Sequence, residues 1–265
     1  MKITNRPTIA DLRALKGKRQ LSMLRVETLD EASAAQQADV DMVSVPPSLL
    51  GPAFREVAPT VFAIPGLEYG DYVTAEEYLR AAFSAMRSDA DAVYCAASMG
   101  IITRLRDEGI PVCGHSGLIP SQATWTGGFK AVGKTLESAL LVWQQVKALE
   151  AAGAFAAEIE VVPTEVARLI SQRTSLLMIS MGAGAGGDAQ YLFAADVLGY
   201  NRGHVPRHAK VYRNFSLEYD RLQAHRVAAF SEFRLEVDSG AYPQAIHEVG
   251  ISAEELGRFK TALGD

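Results

Sequence analysis

The sequence has only two cysteines in 265 residues. Cys95 and Cys113 each sit in an apolar run, in neither a CxxC nor a metal-type spacing. That pattern gives no disulfide framework and no cysteine metal site, and it fits a reduced, cytoplasmic setting with both thiols buried and inert. No run of Lys or Arg marks a nucleic-acid stripe, and a net charge of -5 selects no partner. No apolar stretch approaches a membrane span, and the opening MKITNRPTIADLRALKGKRQ lacks the hydrophobic core of a secretion signal. Neither nucleic acid nor membrane is therefore expected as a partner. There is no linker, no low-complexity tract and no internal repeat.

What is present is alternation. Short apolar runs exchange with amphipathic helical patterns, which argues for βα units around a parallel sheet. The expected strands are Leu21–Val26, Asp41–Val45, Thr60–Ile64, Ala92–Cys95, Ile110–Cys113, Phe155–Val162, Leu176–Met181 and Ala209–Phe215. Helical spacing is clearest in Lys134–Ala152, where Leu136, Leu140, Trp143, Val146 and Leu149 recur before Gly153. A second helix begins at Thr74, which forms a capping box with Glu77, and a third at Pro163, with Val166, Leu169 and Ile170 inward. Leu217–Asp238 and Ala253–Leu263 follow as helices. Eight strands with interposed helices predict a (β/α)8 barrel, one domain over residues 1–265 with a helical C-terminal extension.

A barrel of this kind places its chemistry at the carboxyl ends of the strands and in the loops after them. The stretch Gly109–Lys134 is the strongest such segment, a short apolar run feeding a long glycine-rich loop that carries His115. By the same rule Glu27, Ser48, Glu68, Tyr94, His115, Glu160 and Asp188 are candidate site residues. Glu158 and Glu160 are two apart on one strand and share a face, either the lumen or the helix layer. Charge in either place must be paired or working. An imidazole after a buried strand suits acid/base work or ligand binding. The GAGAGG run at 182–187 is not a nucleotide loop of the G-x-x-x-x-G-K-[ST] type, and close strand–helix packing accounts for it better. His204 and His208, beside Arg207 and Lys210, read as a solvated basic turn.

Several segments together resemble ketopantoate hydroxymethyltransferases. PVCGHSGLIPSQ (Pro111–Gln122) is similar to PVxGHxGLTPQ, and TGGFKAVGK (Thr126–Lys134) to GGYKVQGR. ALEAAGAFAAEIEVVPTEVA (Ala148–Ala167) is similar to ALExAGA…LECVPxELA, and MGAGAGGDAQYL (Met181–Leu192) to GIGAGxxxDGQ. GHVPRHAK (Gly203–Lys210) is similar to GHIPKFAK, and SGAYPQAIH (Ser239–His247) to SGxYP…H. From Ile9 to Ala97 the likeness lies mainly in element spacing.

The resemblance implies a (β/α)8 barrel assembled as a homo-oligomer, a decamer of two pentameric rings in the family. It implies an enzyme that holds a 2-oxo acid on Mg²⁺, forms its enolate and adds a one-carbon unit from methylenetetrahydrofolate. By position it implies Glu160 as base, His115 as the histidine of GHxGL and Ser48 as a substrate contact. The chain departs from the family where the metal binds. VPPSLLG stands for VGDSLG, with Pro47 at the metal-binding Asp, and Gly66 stands at the second metal Asp. Tyr94 and Ala96 stand at the Lys and Glu of VKxEG, and RVET (Arg25–Thr28) at TAYD. Proline cannot ligate a metal, and tyrosine is no fixed cation. Three readings follow: a hydroxymethyltransferase of pantothenate synthesis with its Mg²⁺ ligands moved to Glu27 or Glu68; a related enzyme doing aldol-type C–C chemistry on a carboxylate substrate, with Arg25 in place of the metal; and a barrel that binds a ligand without turnover. Fold does not choose among them. The second is favoured, with Arg25, Ser48 and Tyr94 binding substrate.

Overall fold

Successive side chains of a strand face opposite ways, and this alternation lays out the barrel. The computed structural model describes residues 6–264. Helix α1 (Ile9–Ala14) leads into β1 (Leu21–Arg25), α2 (Leu29–Gln37) and β2 (Met42–Val45). Then come α3 (Pro52–Val57), β3 (Phe62–Leu67), α4 (Ala75–Arg87), β4 (Val93–Cys95) and α5 (Met99–Asp107). Strand β5 (Val112–Gly117) is followed by the short α6 (Ala123–Thr126), α7 (Leu136–Ala151), β6 (Ala156–Glu160), α8 (Thr164–Ser171), β7 (Leu177–Met181), β8 (Ala189–Phe193) and α9 (Ala194–Leu198). The eight strands close into a barrel in chain order, and β8 runs parallel to β1 with Leu21 opposite Ala189 and Arg25 opposite Phe193. The capping box of Thr74 and Glu77 forms at the start of α4.

Every second residue points into the lumen. Leu21, Met23, Met42, Phe62, Ile64, Cys113, Ala156, Leu177 and Ile179 make its apolar floor, with Leu12 of α1 in the same cluster. The residues between them, such as Val43, Val45 and Ala63, or Val93, Val112, Ala157 and Ile159, pack outward on the helices. The same parity carried one step further brings Arg25, Ser44, Gly66, Tyr94, His115, Glu158 and Glu160 to the upper lumen, and all of them line one cavity. Both thiols are buried as expected, and burial raises Cys95 to about 11 and Cys113 above its usual value.

The eighth strand is not Ala209–Phe215 but Ala189–Phe193, directly after the glycine run. Glycine made that stretch read as a loop, whereas β8 needs only the five residues that pair with β1. No α-helix bridges β7 and β8; a 3-10 turn at Gly184–Gly186 does, pressed on α8. A Cβ at Gly184 would stand 2.1 Å from Thr164 Oγ1, and one at Gly186 2.7 Å from the Arg168 amide nitrogen. The run is thus a close-packing device. On α7, Val142, Val146 and Leu149 are buried while Leu136 and Leu140 are exposed, so the inward stripe is rotated from the expected one. On α8, Ala167 and Ile170 face inward and Leu169 is exposed.

The chain divides into two compact units, one ending at Arg213 and one beginning at Asn214. The second is helical, with α10 (Phe215–Ser239), a 3-10 turn at Ala245–His247 and α11 (Ala253–Leu263). No helix among the described residues is long and apolar enough to cross a membrane.

Candidate active site

The cavity has a volume of about 470 Å³ and is walled by the carboxyl ends of the strands. Its most constrained part lies between β5 and β6. Their register sets His115 opposite Glu158 and Gly117 opposite Glu160. The shared face of the two glutamates is therefore the lumen, and their partner is a histidine rather than Lys or Arg. His115 Nδ1 is 3.4 Å from Glu158 Oε2, and Nε2 is 3.3 Å from Glu160 Oε2.

The proton positions on His115 follow from its neighbours. Nε2 lies 2.8 Å from the Leu118 carbonyl, which only accepts, so Nε2 carries a hydrogen. Nδ1 lies 2.6 Å from the Tyr94 hydroxyl. Burial opposes a charge on the ring, but the two glutamates outweigh it and raise the pKa to about 9. His115 is an imidazolium at neutral pH, and Nδ1–H donates to Tyr94. Burial raises Tyr94 further, keeping the phenol neutral, and it raises the deeper Glu158 carboxyl. Glu160, at the open end of β6, retains more exposure than Glu158.

The opposite wall is built on Arg25, at the end of β1 and in register with Ser44. Its Nε donates to Glu27 Oε1 at 2.6 Å and its Nη1 to Ser44 Oγ at 3.3 Å, with Glu68 Oε1 3.9 Å away. Gly66 leaves the room for this cluster. A Cβ there would stand 2.9 Å from Glu68 Oε1 and 3.8 Å from Arg25 Nη1. Among the described residues Nη2 of Arg25 has no hydrogen-bond partner, so that end of the guanidinium can receive a ligand.

This donor set does not fit Mg²⁺. The two carboxylates proposed as moved ligands, Glu27 and Glu68, both face Arg25, and a divalent ion on them would lie against a guanidinium. Among the described residues no group of three or more His, Cys, Asp or Glu is arranged to hold a metal. Glu27 and Glu68 serve as counter-ions of Arg25 instead.

The structure brings Arg25, Glu27, Glu68, Tyr94, His115 and Glu160 to one cavity. It does not bring Ser48 there. Ser48 is exposed on a 3-10 turn after β2, and Ser44, on the lumen parity of Met42, lines the cavity instead. Asp188 is at the other end of the barrel, where Lys16 Nζ at 2.6 Å, Ser171 Oγ at 3.0 Å and the Met178 amide at 2.8 Å donate to it. Its role is structural. His208, read as part of a solvated turn, lines the cavity, as does Asp196, whose Oδ1 accepts from Asn201 Nδ2 at 2.6 Å. Alternation would have found Ser44; nothing local signals His208, which reaches the site from an irregular segment after α9.

A charged imidazole clamping a carboxylate, with a guanidinium on the wall of the same cavity, is equipped to move a proton next to a bound anion. Comparison with known proteins gives that arrangement a setting. The family model for ketopantoate hydroxymethyltransferase matches residues 53–245. A 3-methyl-2-oxobutanoate hydroxymethyltransferase of Kosmotoga olearia is 33% identical over 252 residues, covering 86% of this chain and 92% of the relative. One from Halalkalibacterium halodurans is 31% identical over 266 residues, covering 91% and 93%. Among solved structures, 2,3-dimethylmalate lyase, of the PEP mutase/isocitrate lyase superfamily, superimposes with a TM-score of 0.51 at 16% identity, covering 91% of this chain and 100% of the other. At that identity the likeness is one of fold.

Proposed function

The chain belongs to the ketopantoate hydroxymethyltransferase family, and on that premise we propose that it performs aldol-type C–C bond chemistry, adding or removing a hydroxymethyl unit on a 2-oxo acid or related carboxylate. Glu160 is the base that takes the proton from the carbon next to the keto group. His115, held as an imidazolium 3.3 Å away, places that carboxylate at the cavity wall. Arg25 receives the substrate carboxylate through Nη2 and balances the enolate charge that develops beside it, with Ser44 holding the guanidinium. Tyr94 is the neutral hydroxyl on the wall between them. The one-carbon unit is exchanged at the oxidation level of formaldehyde, for which methylenetetrahydrofolate is the proposed carrier.

The observation that carries this reading is the pairing of Glu160 with a protonated His115 in the same cavity as an incompletely bonded Arg25. Exchange of the C3 proton of 3-methyl-2-oxobutanoate into D2O, followed by NMR, tests it without any donor. Wild-type protein should catalyse exchange, EDTA should leave the rate unchanged, and Glu160→Gln should slow it by ~10²-fold or more. Absence of exchange, or exchange indifferent to Glu160→Gln, overturns the reading. Exchange abolished by EDTA supports a metal-bound substrate instead.

A further inference from the structure

We propose that His208 is a second acid/base group of this cavity, the one that carries the hydroxyl proton of the hydroxymethyl unit while Glu160 carries the carbon-bound proton. The inference rests on the aldol reading above and deepens it. Its starting point is placement. Met181, the last residue of β7, is in register with Glu160, and Gly182 follows it. The His208 ring lies on Gly182: a Cβ there would stand 2.7 Å from Nδ1 and 3.0 Å from Cγ. Glu160 on β6 is thus flanked by two imidazoles, His115 from β5 and His208 over the end of β7, and all three line one cavity.

The two histidines are bonded in opposite ways. Both nitrogens of His115 are occupied, Nε2 by the Leu118 carbonyl and Nδ1 by Tyr94. Among the described residues, neither nitrogen of His208 has a hydrogen-bond partner. A ring on the wall of a cavity with both nitrogens unspoken for is open to a ligand hydroxyl. Its electrostatics agree with that use. Burial lowers the His208 pKa, opposed by the nearby Glu160 and Asp196 and assisted by Arg207. The ring is therefore neutral at physiological pH and can accept a proton, which His115, already protonated there, cannot.

The chemistry needs such a group. In cleavage of 4-hydroxy-3,3-dimethyl-2-oxobutanoate, the hydroxymethyl adduct of 3-methyl-2-oxobutanoate, the hydroxyl loses its proton to His208. The oxygen lone pair becomes the carbonyl of formaldehyde and the C3–C4 bond breaks. The electron pair of that bond enters the enolate, whose C3 then takes the proton of a protonated Glu160. In the direction of addition the imidazolium of His208 returns a proton to the forming alkoxide and Glu160 removes the one on C3. Atoms and charge balance with no oxidant or further reactant. With His208 as base for the hydroxyl, Glu160 need not first take that proton and then carry it across to C3.

The test measures two reactions on wild-type, H208A and H208Q protein: formaldehyde release from the adduct, and C3 proton exchange of 3-methyl-2-oxobutanoate, which involves no hydroxyl proton. H208A and H208Q should each lower formaldehyde release by about tenfold or more while slowing exchange far less. Added imidazole should restore release in H208A, a readout that a packing role would not move. Release at the wild-type rate, an equal loss of both reactions, or a loss that imidazole does not restore overturns the assignment. If wild-type protein neither exchanges nor cleaves, the aldol reading fails and this inference falls with it. If wild type does both and the variants match it, the inference fails alone.

Discussion

Arg25 Nε donates to Glu27 Oε1 across 2.6 Å, and the same guanidinium lies 3.9 Å from Glu68 Oε1, over the glycine at position 66. A fixed organic cation thus stands between carboxylates at the mouth of the barrel. It differs from a metal in being covalently attached, independent of chelators and able to offer a planar pair of donors to a carboxylate. Removing it should act on substrate binding first. Arg25→Gln is expected to raise the KM for a 2-oxo acid by about ten- to a hundredfold, the worth of ~1.5–3 kcal/mol for hydrogen bonds to a charged group. Steady-state kinetics with and without EDTA check both halves of the expectation, and chelator should change neither protein.

The His115 cluster makes stability depend on pH with a definite sign. Its folded-state pKa of about 9 lies above the ordinary 6.5, so the protonated ring favours the fold. The stabilisation is complete below the ordinary value and is lost as pH rises through about 9. It is worth on the order of 3 kcal/mol at ~1.4 kcal/mol per unit. Denaturant midpoints collected across that range should fall with rising pH. His115→Gln should flatten the curve, and so should Glu158→Gln, since the shift belongs to the cluster.

Gly114, the first glycine of the GHSG stretch, is constrained by α7. A Cβ on it would stand 2.4 Å from Leu149 Cδ2. Gly114→Ala should therefore cost about 1–3 kcal/mol by overpacking. Leu149→Ala in the same chain should recover part of that loss rather than add to it, which a double-mutant cycle in urea measures directly.

Lys16 and Asp188 test the separation of the two ends of the barrel. Asp188 is buried at the amino end, and Lys16 supplies the positive charge that compensates it. Lys16→Met should lower stability by about 3 kcal/mol, because it strands a buried carboxylate. The kcat of the folded fraction should be unchanged. A fall in kcat at constant stability would return Asp188 to the list of working groups.

The lumen was legible wherever strand alternation ran undisturbed. Glu158 and Glu160 share a face in any strand, and closure of the barrel assigns that face to the interior. Ser44 obeys the same parity, but the match of VPPSLLG to VGDSLG points to Ser48, which the turn carries out to solvent. The eighth strand was misplaced because glycine-rich sequence reads as loop, although the 182–187 run is where the chain packs most closely on α8. His208 was not legible, because an irregular segment has no period from which to compute a direction.

Sequence alone determined the class of fold, the family likeness and the presence of paired glutamates on one strand face. Those properties depend on patterns local to a strand, a helix or a motif, and local sterics enforce them. Only the tertiary structure decided that Glu160 meets a charged His115, that Arg25 sits among the acids proposed for a metal, and that His208 lies over Gly182. Apart from the local pair of Arg25 with Glu27, each of these joins residues far apart in the chain, and their meeting is set by strand register and barrel closure, which no single segment encodes.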